Sequence, residues 1–307
     1  MNDQLIEQLK VNGYSVKKFS ITDIGQYSVS DAIWNYRDVP HANYVHKLLS
    51  SVNVDVTDTN VATIIFQKIP YLFTVPLCLN NISYNNNRVI YYTSFMFTIL
   101  YITTDINEVN ENETSVKTSY YICSPRILNF IIFPIVSYIL KHNNKNLMND
   151  DIAMRNRRAN LRKRGYQFLS KSKSEFFTYS ESLQISINSL LIPSELIGTK
   201  FKYTFEINDL LKNKIILFGD SDITGLRIDL SDQNEILIFK RICGHQGSDL
   251  SNCQRNLNYL KCQWHGKINS PILIINDIEF NKIQTEEILI TKHESLINIE
   301  YYINQIS

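Results

Sequence analysis

The stretch "RVIYYTSFMFTILYITT", residues 88–104, is rich in β-branched and aromatic side chains, which favour extended strands. Two further stretches have the same composition, "VATIIFQKIPYLFTVPL" at 61–77 and "SVKTSYYIC" at 115–123. The polar stretches between them, "NNISYNNN" at 80–87 and "DINEVNENET" at 105–114, are typical of turns. This alternation predicts a meander of antiparallel strands.

Helical patterns lie on both sides of the strands. Residues 27–51 read as helix, and Pro40 predicts a division into two short helices. After the strands, residues 124–142 and 146–169 form a long helical region. The order of short helices, sheet and long helical region predicts an α+β fold for this part of the chain.

The chain of 307 residues is longer than one hydrophobic core usually serves, so we expect two domains. A Ser-rich stretch at 170–199 suits a linker, and short strands with turns follow from Lys200 onward. These changes predict one domain at 1–185 and a second at 195–307.

Charge and composition exclude several classes of protein. The 31 basic and 30 acidic residues leave a net charge of +1, which gives no general drive toward nucleic acid. The first 18 residues lack the apolar core of a signal peptide, so we expect a cytoplasmic protein. Five cysteines without framework spacing favour reduced thiols over disulfides.

The most apolar run, "ILNFIIFPIVSYIL" at 127–140, is too short to span a membrane. It has fourteen residues interrupted by Pro134, whereas a bilayer needs about 20 apolar residues. We therefore expect no transmembrane segment and a buried or cavity-facing helix.

Two Cys–His pairs lie in "CGHQGSDLSNCQRNLNYLKCQWHG", residues 243–266. Cys243 with His245, and Cys262 with His265, offer two thiolates and two imidazoles, the ligands preferred by soft and borderline metals. Two occupants fit this ligand set: a structural zinc ion, or a [2Fe-2S] cluster with the cysteines on one iron and the histidines on the other.

A second group of candidate ligands lies in "DVPHANYVH", residues 38–46, which contains Asp38, His41 and His46. Two histidines and a carboxylate form the facial triad of non-haem Fe(II) sites. On an ideal helix, residues five apart point about 140° from one another, so the two histidines share a metal only where the helix bends or breaks. Pro40 predicts such a break.

Both groups together resemble the Rieske non-haem iron oxygenases. The pattern C-x-H followed by C-x-x-H-G, with strands around it, covers about 195–300, and the spacing at 38–46 is similar to the mononuclear iron motif of that family. The resemblance implies a START/Bet v 1-like helix-grip domain, with an antiparallel sheet and a long C-terminal helix, followed by an all-β Rieske [2Fe-2S] domain. This domain order is the reverse of the family's usual one.

The resemblance also implies site roles. Cys243, His245, Cys262 and His265 would hold the [2Fe-2S] cluster. His41 and His46 would hold a mononuclear Fe(II), Asp38 would bridge a cluster histidine to an iron histidine, and an acid in the last helical region would be the third ligand. Asp150 and Asp151 are both candidates for that ligand, and the sequence leaves the choice open, as it does their alternative role as helix-start acids.

The function implied is oxidation of a hydrophobic or aromatic small molecule, by hydroxylation or demethylation, with O₂ and electrons relayed from the cluster. A ferredoxin or flavin reductase would donate the electrons, and a homo-oligomer is compatible with the family. The alternative is a START-like ligand-binding or electron-transfer protein that has the cluster and no working mononuclear iron. The basic run "RNRRANLRKRG" at 155–165 is either a solvated helix face or a docking patch for an acidic electron donor.

Overall fold

The computed structural model describes residues 3–38, 41–46, 49–56, 60–68, 74–85, 87–95, 97–168, 190–276 and 279–304. These residues divide into two compact units. The first unit contains the described residues up to Ala159, and the second contains residues 160–168 and 190–304. The sequence-predicted boundary at 185–195 lies mostly outside the described residues, so it stays a prediction.

The first unit is built on an antiparallel sheet of seven strands in the order β1-β7-β6-β5-β4-β3-β2. The strands are β1 Tyr14–Gly25, β2 Leu49–Val56, β3 Asn60–Lys68, β4 Thr74–Asn85, β5 Arg88–Phe95, β6 Thr98–Asn110 and β7 Glu113–Pro125. Strands β2 to β7 are consecutive neighbours, which is the predicted meander. Strand β1 lies at the edge of the sheet, where it pairs with β7.

The strands are longer than the sequence predicts. The polar stretches at 80–87 and 105–114 mostly continue β4, β6 and β7, because their residues pair with the neighbouring strands beyond the ends of the apolar runs. Strands β1 and β2 were not expected, and the prediction of helix for 27–51 is wrong at its end, because residues 49–51 begin β2.

Four helices accompany this sheet among the described residues: α1 Asp3–Val11, α2 Val29–Arg37, α3 Ala42–Val45 and α4 Asn129–Lys163. The side chain of Ser28 caps α2 by accepting a hydrogen bond from the backbone N–H of Asp31. Helix α4 follows the last strand and is held to it, since the Tyr120 hydroxyl donates to Asn144 Oδ1 at 2.6 Å. An antiparallel sheet followed by a long helix is the helix-grip fold expected for the first part of the chain.

The long helix α4 differs from expectation in two ways. It is continuous over 35 residues with Pro134 inside it, so Asp150 and Asp151 lie well within the helix and do not start it. Its first half exposes apolar side chains: Phe130 is 71% exposed and Tyr138 is 73% exposed, so the predicted buried helix is wrong here. No helix among the described residues is long and apolar enough to cross a membrane.

The buried stripe of α4 is polar. Four of its five residues are polar: Asn144, Met148, Asp151, Arg155 and Arg158 are buried and follow one another at intervals of three or four residues, so they lie on one face of the helix. The side chain of Arg155 is entirely inaccessible, as is that of Arg158. The basic run at 155–165 is therefore not a uniformly solvated face, because two of its arginines belong to the interior.

The second unit is mostly β-structure. Its strands are β8 Gln167–Phe168, β9 Leu190–Leu191, β10 Lys200–Glu206, β11 Ile215–Phe218, β12 Leu226–Leu230, β13 Ile236–Lys240, β14 Arg255–Asn256, β15 Tyr259–Lys261, β16 Ile268–Asn269, β17 Leu273–Ile275, β18 Lys282–Gln284, β19 Ile288–His293 and β20 Leu296–Tyr302. They form two four-stranded sheets, β10-β20-β19-β18 and β11-β12-β13-β17, with a three-stranded sheet and a two-stranded one. A seven-residue helix, α5 Ile207–Asn213, lies among them, so the unit is not all-β as expected.

The core of the second unit is a single aliphatic cluster. Ile228, Ile238 and Ile290 are fully inaccessible and belong to three different strands of the two larger sheets. Leu161 and Tyr166, which precede the predicted domain boundary, are part of the same cluster. The second core therefore begins at least as early as the last turn of α4.

Candidate metal centre and ligand cavity

Two histidines and one aspartate of the first unit converge on a single point. His41 and His46 lie at the two ends of the short helix α3, and Asp151 lies on the buried stripe of α4. One Asp151 oxygen, Oδ1, is 3.2 Å from His41 Nε2 and 3.4 Å from His46 Nε2. All three side chains are buried, and one ligand atom from each lies within 4.8 Å of the others, an arrangement that can hold a metal ion.

The hydrogen bonding of His41 shows why this point attracts a cation. Its Nδ1 bonds to the backbone carbonyl of Asp38. A carbonyl oxygen only accepts, so Nδ1 carries the hydrogen and Nε2 of the neutral ring presents a lone pair to the Asp151 carboxylate. Two acceptors face one another across 3.2 Å, and a proton or a metal ion between them removes the repulsion.

The same reasoning holds for His46, whose two ring nitrogens both face carboxylates. Nδ1 is 3.3 Å from Asp150 Oδ2, and Nε2 is 3.4 Å from Asp151 Oδ1. Burial acts to lower the pKa of His46, but the hydrogen bonds and negative charges of Asp151 and Asp150 raise it above its ordinary value.

The structure distinguishes the two candidate acids. Asp151 is buried, whereas the Asp150 side chain is 47% exposed, because adjacent residues of a helix point about 100° apart. Burial acts to raise the pKa of Asp151, but the His41 and His46 rings in their protonated form, through hydrogen bonds and charge, and the charge of Arg155 hold that pKa well below its ordinary range. Asp151 is therefore the carboxylate available to a metal, and Asp150 contacts the outer nitrogen of His46.

Further polar residues, which could not be predicted from the sequence, hold Asp151 in place. Asn35 of α2 donates to Asp151 Oδ1 at 3.4 Å and accepts two hydrogen bonds from Arg155, at 2.9 and 2.6 Å. Arg155 lies 3.6 Å from Asp151 Oδ2 and 4.7 Å above the centre of the Tyr36 ring. These contacts join α2 to α4 and fix the carboxylate relative to α3.

The triad opens into a cavity of about 220 Å³ between the sheet and α4. Strand pairing places Asn81, Tyr91, Ile102 and Tyr120 side by side in one row across β4, β5, β6 and β7. Paired residues face the same side of a sheet, so this row forms part of the cavity wall. The rest of the wall is mainly apolar or aromatic, apart from the triad itself.

A second cavity, of about 440 Å³, adjoins the first. His46, Leu49 and Leu147 line both, so His46 lies between the two spaces. This second, outer cavity is lined largely by the amide side chains of Gln67, Asn143, Asn146 and Asn149, and by Asp150. The inner space is therefore the more apolar of the two.

The Cys–His loops of the second unit have matching backbone geometry. In each loop the cysteine N–H donates to the carbonyl five residues later, at 2.9 Å for Cys243 and 2.8 Å for Cys262. In each, the N–H of the glycine four residues later donates back to the cysteine carbonyl at 2.9 Å. These glycines, Gly247 and Gly266, have φ of 77° and 68°, a left-handed conformation that favours glycine.

The four candidate ligands of these loops are buried and close together. The ring centres of His245 and His265 are 4.8 Å apart. The thiols of Cys243 and Cys262 share a hydrogen bond, which lowers the pKa of Cys262 and, with burial, raises that of Cys243. A lowered thiol pKa favours the thiolate that metals bind.

The four Cys and His side chains of the loops are nevertheless less closely grouped than the triad of His41, His46 and Asp151. Among the described residues, ligand atoms all within 4.8 Å of one another are found at His41, His46 and Asp151, and the Cys–His loops do not meet that condition. A tetrahedral zinc site would need its ligand atoms closer together than this. The geometry of the loops thus suits one zinc ion poorly.

Comparison with known proteins gives matches of fold only. No protein-family model and no curated protein matches the chain. Among solved structures, the Zhui aromatase/cyclase from Streptomyces sp. R1128 matches with a TM-score of 0.42 and 6% identity, over 47% of this chain and 96% of that one. Norcoclaurine synthase from Thalictrum flavum, solved with dopamine and hydroxybenzaldehyde, has a TM-score of 0.37 and 11% identity, over 47% and 88%. A START superfamily protein from Mycobacterium smegmatis matches with a TM-score of 0.37 and 10% identity, over 43% of this chain and 94% of that one.

These matches correct the expected family. They are START and Bet v 1-type proteins, and no Rieske-type protein is found among the similar structures. Membership of the Rieske non-haem iron oxygenases is therefore wrong, and so is the oxygenase function that it implied. The physical reason is that four ligands in two short loops are a local feature, which does not determine the fold around them.

The predicted helix-grip fold of the first unit is confirmed. The predicted Rieske domain is not shown. The site residues, the iron and [2Fe-2S] cofactors, the electron donor and the homo-oligomer stay predictions. The bridging role of Asp38 also stays a prediction; within its own unit Asp38 is buried and orients His41 through its backbone carbonyl.

Proposed function

We propose that this chain is a ligand-binding protein of the helix-grip type, whose first unit takes a small apolar or aromatic molecule beside a mononuclear metal ion. The observation that carries the proposal is the cavity of about 220 Å³, which has a mainly apolar wall and reaches the triad of His41, His46 and Asp151. Concave apolar sites with a few convergent polar groups are the usual binding sites of small molecules.

The wall favours an aromatic ligand in particular. Tyr36, Tyr91 and Tyr120 all line the cavity, and aromatic rings pack against one another in offset or edge-on arrangements. Burial raises the pKa of Tyr91 well above its usual range, so its hydroxyl is neutral and the wall carries no phenolate charge. With a volume below the roughly 300 Å³ at which drug-sized pockets begin, the cavity suits one or two fused rings.

The triad fits a divalent metal by its donor set. Two imidazole nitrogens and one carboxylate oxygen leave coordination positions open, and a bound metal would act there as a Lewis acid toward a ligand heteroatom. The residues of the chain hold this site by themselves: Asp38 fixes the His41 ring, and Asn35 and Arg155 fix Asp151.

A cavity-filling substitution tests ligand binding. Ile102→Trp places a large ring in the cavity wall, whereas Tyr92→Trp, on the opposite face of the sheet and 41% exposed, is the matched control. We expect 2-naphthol to bind the wild type and the control, measured by its own fluorescence, and to lose at least tenfold in affinity for Ile102→Trp. Equal affinity for both variants, with unchanged circular dichroism, would place the ligand elsewhere and refute the proposal.

The metal is tested by titration with Co(II), whose visible absorption reports its coordination. We expect His41→Ala to lose the imidazole and carboxylate Co(II) spectrum, and His142→Ala, an exposed histidine of α4, to retain it. Thiolate coordination has a separate near-ultraviolet band, so binding at the cysteines is distinguished. An unchanged spectrum in His41→Ala contradicts a metal at the triad.

The matching Cys–His loops support a second proposal, a metal centre in the second unit. Its predicted occupant is a [2Fe-2S] cluster, whose two irons would divide the ligands into a cysteine pair and a histidine pair; a zinc ion, which the ligand spacing suits poorly, is the alternative that metal analysis distinguishes. The buried thiols of Cys243 and Cys262 are hydrogen-bonded to one another, and a cation that replaces the proton between them fits the donor set. We expect Cys262→Ser to lose the bound iron and sulfide, or the zinc, of anaerobically purified protein, and Cys253→Ser, a buried cysteine outside both loops, to retain it. Equal metal content in the two variants would refute a metal centre.

A further inference from the structure

One polar side chain of the cavity wall has a hydrogen-bond acceptor that nothing satisfies. Asn81, in the middle of β4, lines the cavity and is 1% exposed. Its Oδ1 atom receives no hydrogen bond from any residue that the structure describes. The strand backbone holds Asn81 between Val61 of β3 and Tyr91 of β5, so the side chain is fixed on the inner face.

A second unsatisfied group lies next to it. The Thr93 hydroxyl oxygen is buried, and it too has no hydrogen-bond partner among the described residues. Thr93 pairs with Leu79, which lies two residues from Asn81 on β4 and also lines the cavity. Asn81 and Thr93 are therefore diagonal neighbours on the same face of the sheet.

A buried polar atom without a partner is unfavourable in a wall whose surface is mainly apolar. A buried acceptor without a donor loses its hydrogen bonds to water on folding and gains none in return. Most buried polar atoms of native proteins have a partner, so an unsatisfied one is informative. A ligand whose hydroxyl or N–H reaches Asn81 would supply the missing donor.

We infer that Asn81 selects ligands that carry a hydrogen-bond donor, such as a phenolic hydroxyl, on a small aromatic skeleton. This inference rests on the proposed function, since it names the ligand class of the same cavity. Sites that hydrogen-bond a ligand group discriminate against analogues lacking it, because the buried acceptor then stays unpaired. Asn81 thereby sets specificity, while the apolar wall supplies affinity.

Three probes of nearly the same shape test the inference. 2-Naphthol has a donor, 2-methoxynaphthalene has only an acceptor, and naphthalene has neither. We expect the metal-free wild-type protein to bind 2-naphthol about 10- to 100-fold more tightly than the other two, as judged by calorimetric titration.

Two variants of adjacent asparagines locate the effect. Asn81→Leu should abolish the preference for 2-naphthol while binding naphthalene at least as well as the wild type. Asn80→Leu, on the opposite face of the same strand, should keep the preference.

The outcomes separate this inference from the proposed function. If the wild type binds none of the three probes, the proposed function fails. If it binds all three with equal affinity, or if Asn81→Leu retains the preference, the cavity binds ligands and the role of Asn81 is refuted. Circular dichroism and thermal unfolding of both variants exclude loss of fold as the cause.

Discussion

Replacing Asp151 by Asn removes one negative charge from the interior of the first unit and nearly preserves the side-chain shape. The carboxylate lies 3.2 and 3.4 Å from the Nε2 atoms of His41 and His46 and 3.6 Å from Arg155. It also accepts a hydrogen bond from Asn35. The substitution therefore affects both the candidate metal site and an acidic partner of the buried Arg155 side chain.

The magnitude follows from the burial of Arg155. Removing one partner of a buried ion pair costs about 3–5 kcal/mol, because the remaining charge stays in the interior. Arg155 keeps its hydrogen bonds to Asn35 and to the Tyr27 hydroxyl, at 3.2 Å, so we expect the lower end, about 3 kcal/mol. For a unit of this size that corresponds to a fall of roughly 6–12 °C in Tm.

The pH dependence of the metal-free protein gives an independent check. Because the pKa of His46 is raised in the folded state, the stability that it contributes is fully present below its unfolded pKa, about 6.5, and is lost as pH rises through the folded value. The pKa of Asp151 is lowered, so its contribution is present above about 3.9 and constant between pH 6 and 8. We expect Tm to fall from pH 6 to pH 8 in the wild type and to change less in Asp151→Asn.

Differential scanning calorimetry of the metal-free protein at pH 6 and pH 8 measures both effects. The control is Asp150→Asn, since its side chain is 47% exposed and contacts the same histidine. That variant should lose less than about 1 kcal/mol. If Asp151→Asn unfolds at the same temperature as Asp150→Asn, the buried ion pair does not stabilise the fold and the reasoning is refuted.

Further expectations concern single contacts of the two units. Gly247→Ala places a Cβ 2.5 Å from Leu161 Cδ1 at a φ of 77°, so we expect a loss of roughly 2–4 kcal/mol in urea unfolding; an unchanged midpoint contradicts this. A fragment of residues 160–307 should show cooperative thermal unfolding, whereas 195–307 lacks the three buried core side chains of Leu161, Tyr166 and Leu190 and should not; cooperative unfolding of the shorter fragment would disprove that the second core begins in α4. Arg158→Ala removes a buried ion pair, which costs about 3–5 kcal/mol, and a change below about 1 kcal/mol would show that its guanidinium adds little.

The order of elements in the first unit could be predicted from the sequence, because it rests on local patterns. Alternating β-branched and aromatic residues marked most of the strands, and the histidine spacing at 38–46 marked candidate ligands near a break between two short helices. Strand β1 was missed, since its alternation of charged and apolar residues is as common in exposed segments as in strands. Strand β2 was missed as well, because its first residues continue the predicted helix of 27–51.

The support of the site could not be predicted, because it depends on contacts between distant elements. Arg155 looks like part of a basic run in the sequence, and only the packing of α2 against α4 shows that Asn35 and Asp151 surround it. The choice between Asp150 and Asp151 likewise depends on which side of α4 faces α3. Asn81 carries no sequence signal at all, since one asparagine in an Asn-rich strand is unremarkable until its burial is known.

The expected family failed for a related reason. The two Cys–His loops gave a strong local pattern, and the loops are indeed alike in backbone geometry. The pattern specifies ligands over about 24 residues, whereas a family is defined by the whole fold. The exposed apolar residues of α4 mislead in the same way, because local hydropathy does not reveal which face of a helix packs against the sheet.

The closed Cys–His loops have a consequence for how the second unit acquires a metal. Small zinc domains are unfolded without their ion, since metal binding supplies the free energy of folding. Here each loop is closed by its own pair of backbone hydrogen bonds, and a large aliphatic cluster supports the unit from outside the loops. The ligands are thus preorganised, and we expect a chelator to strip the metal and leave the far-ultraviolet circular dichroism of the protein unchanged.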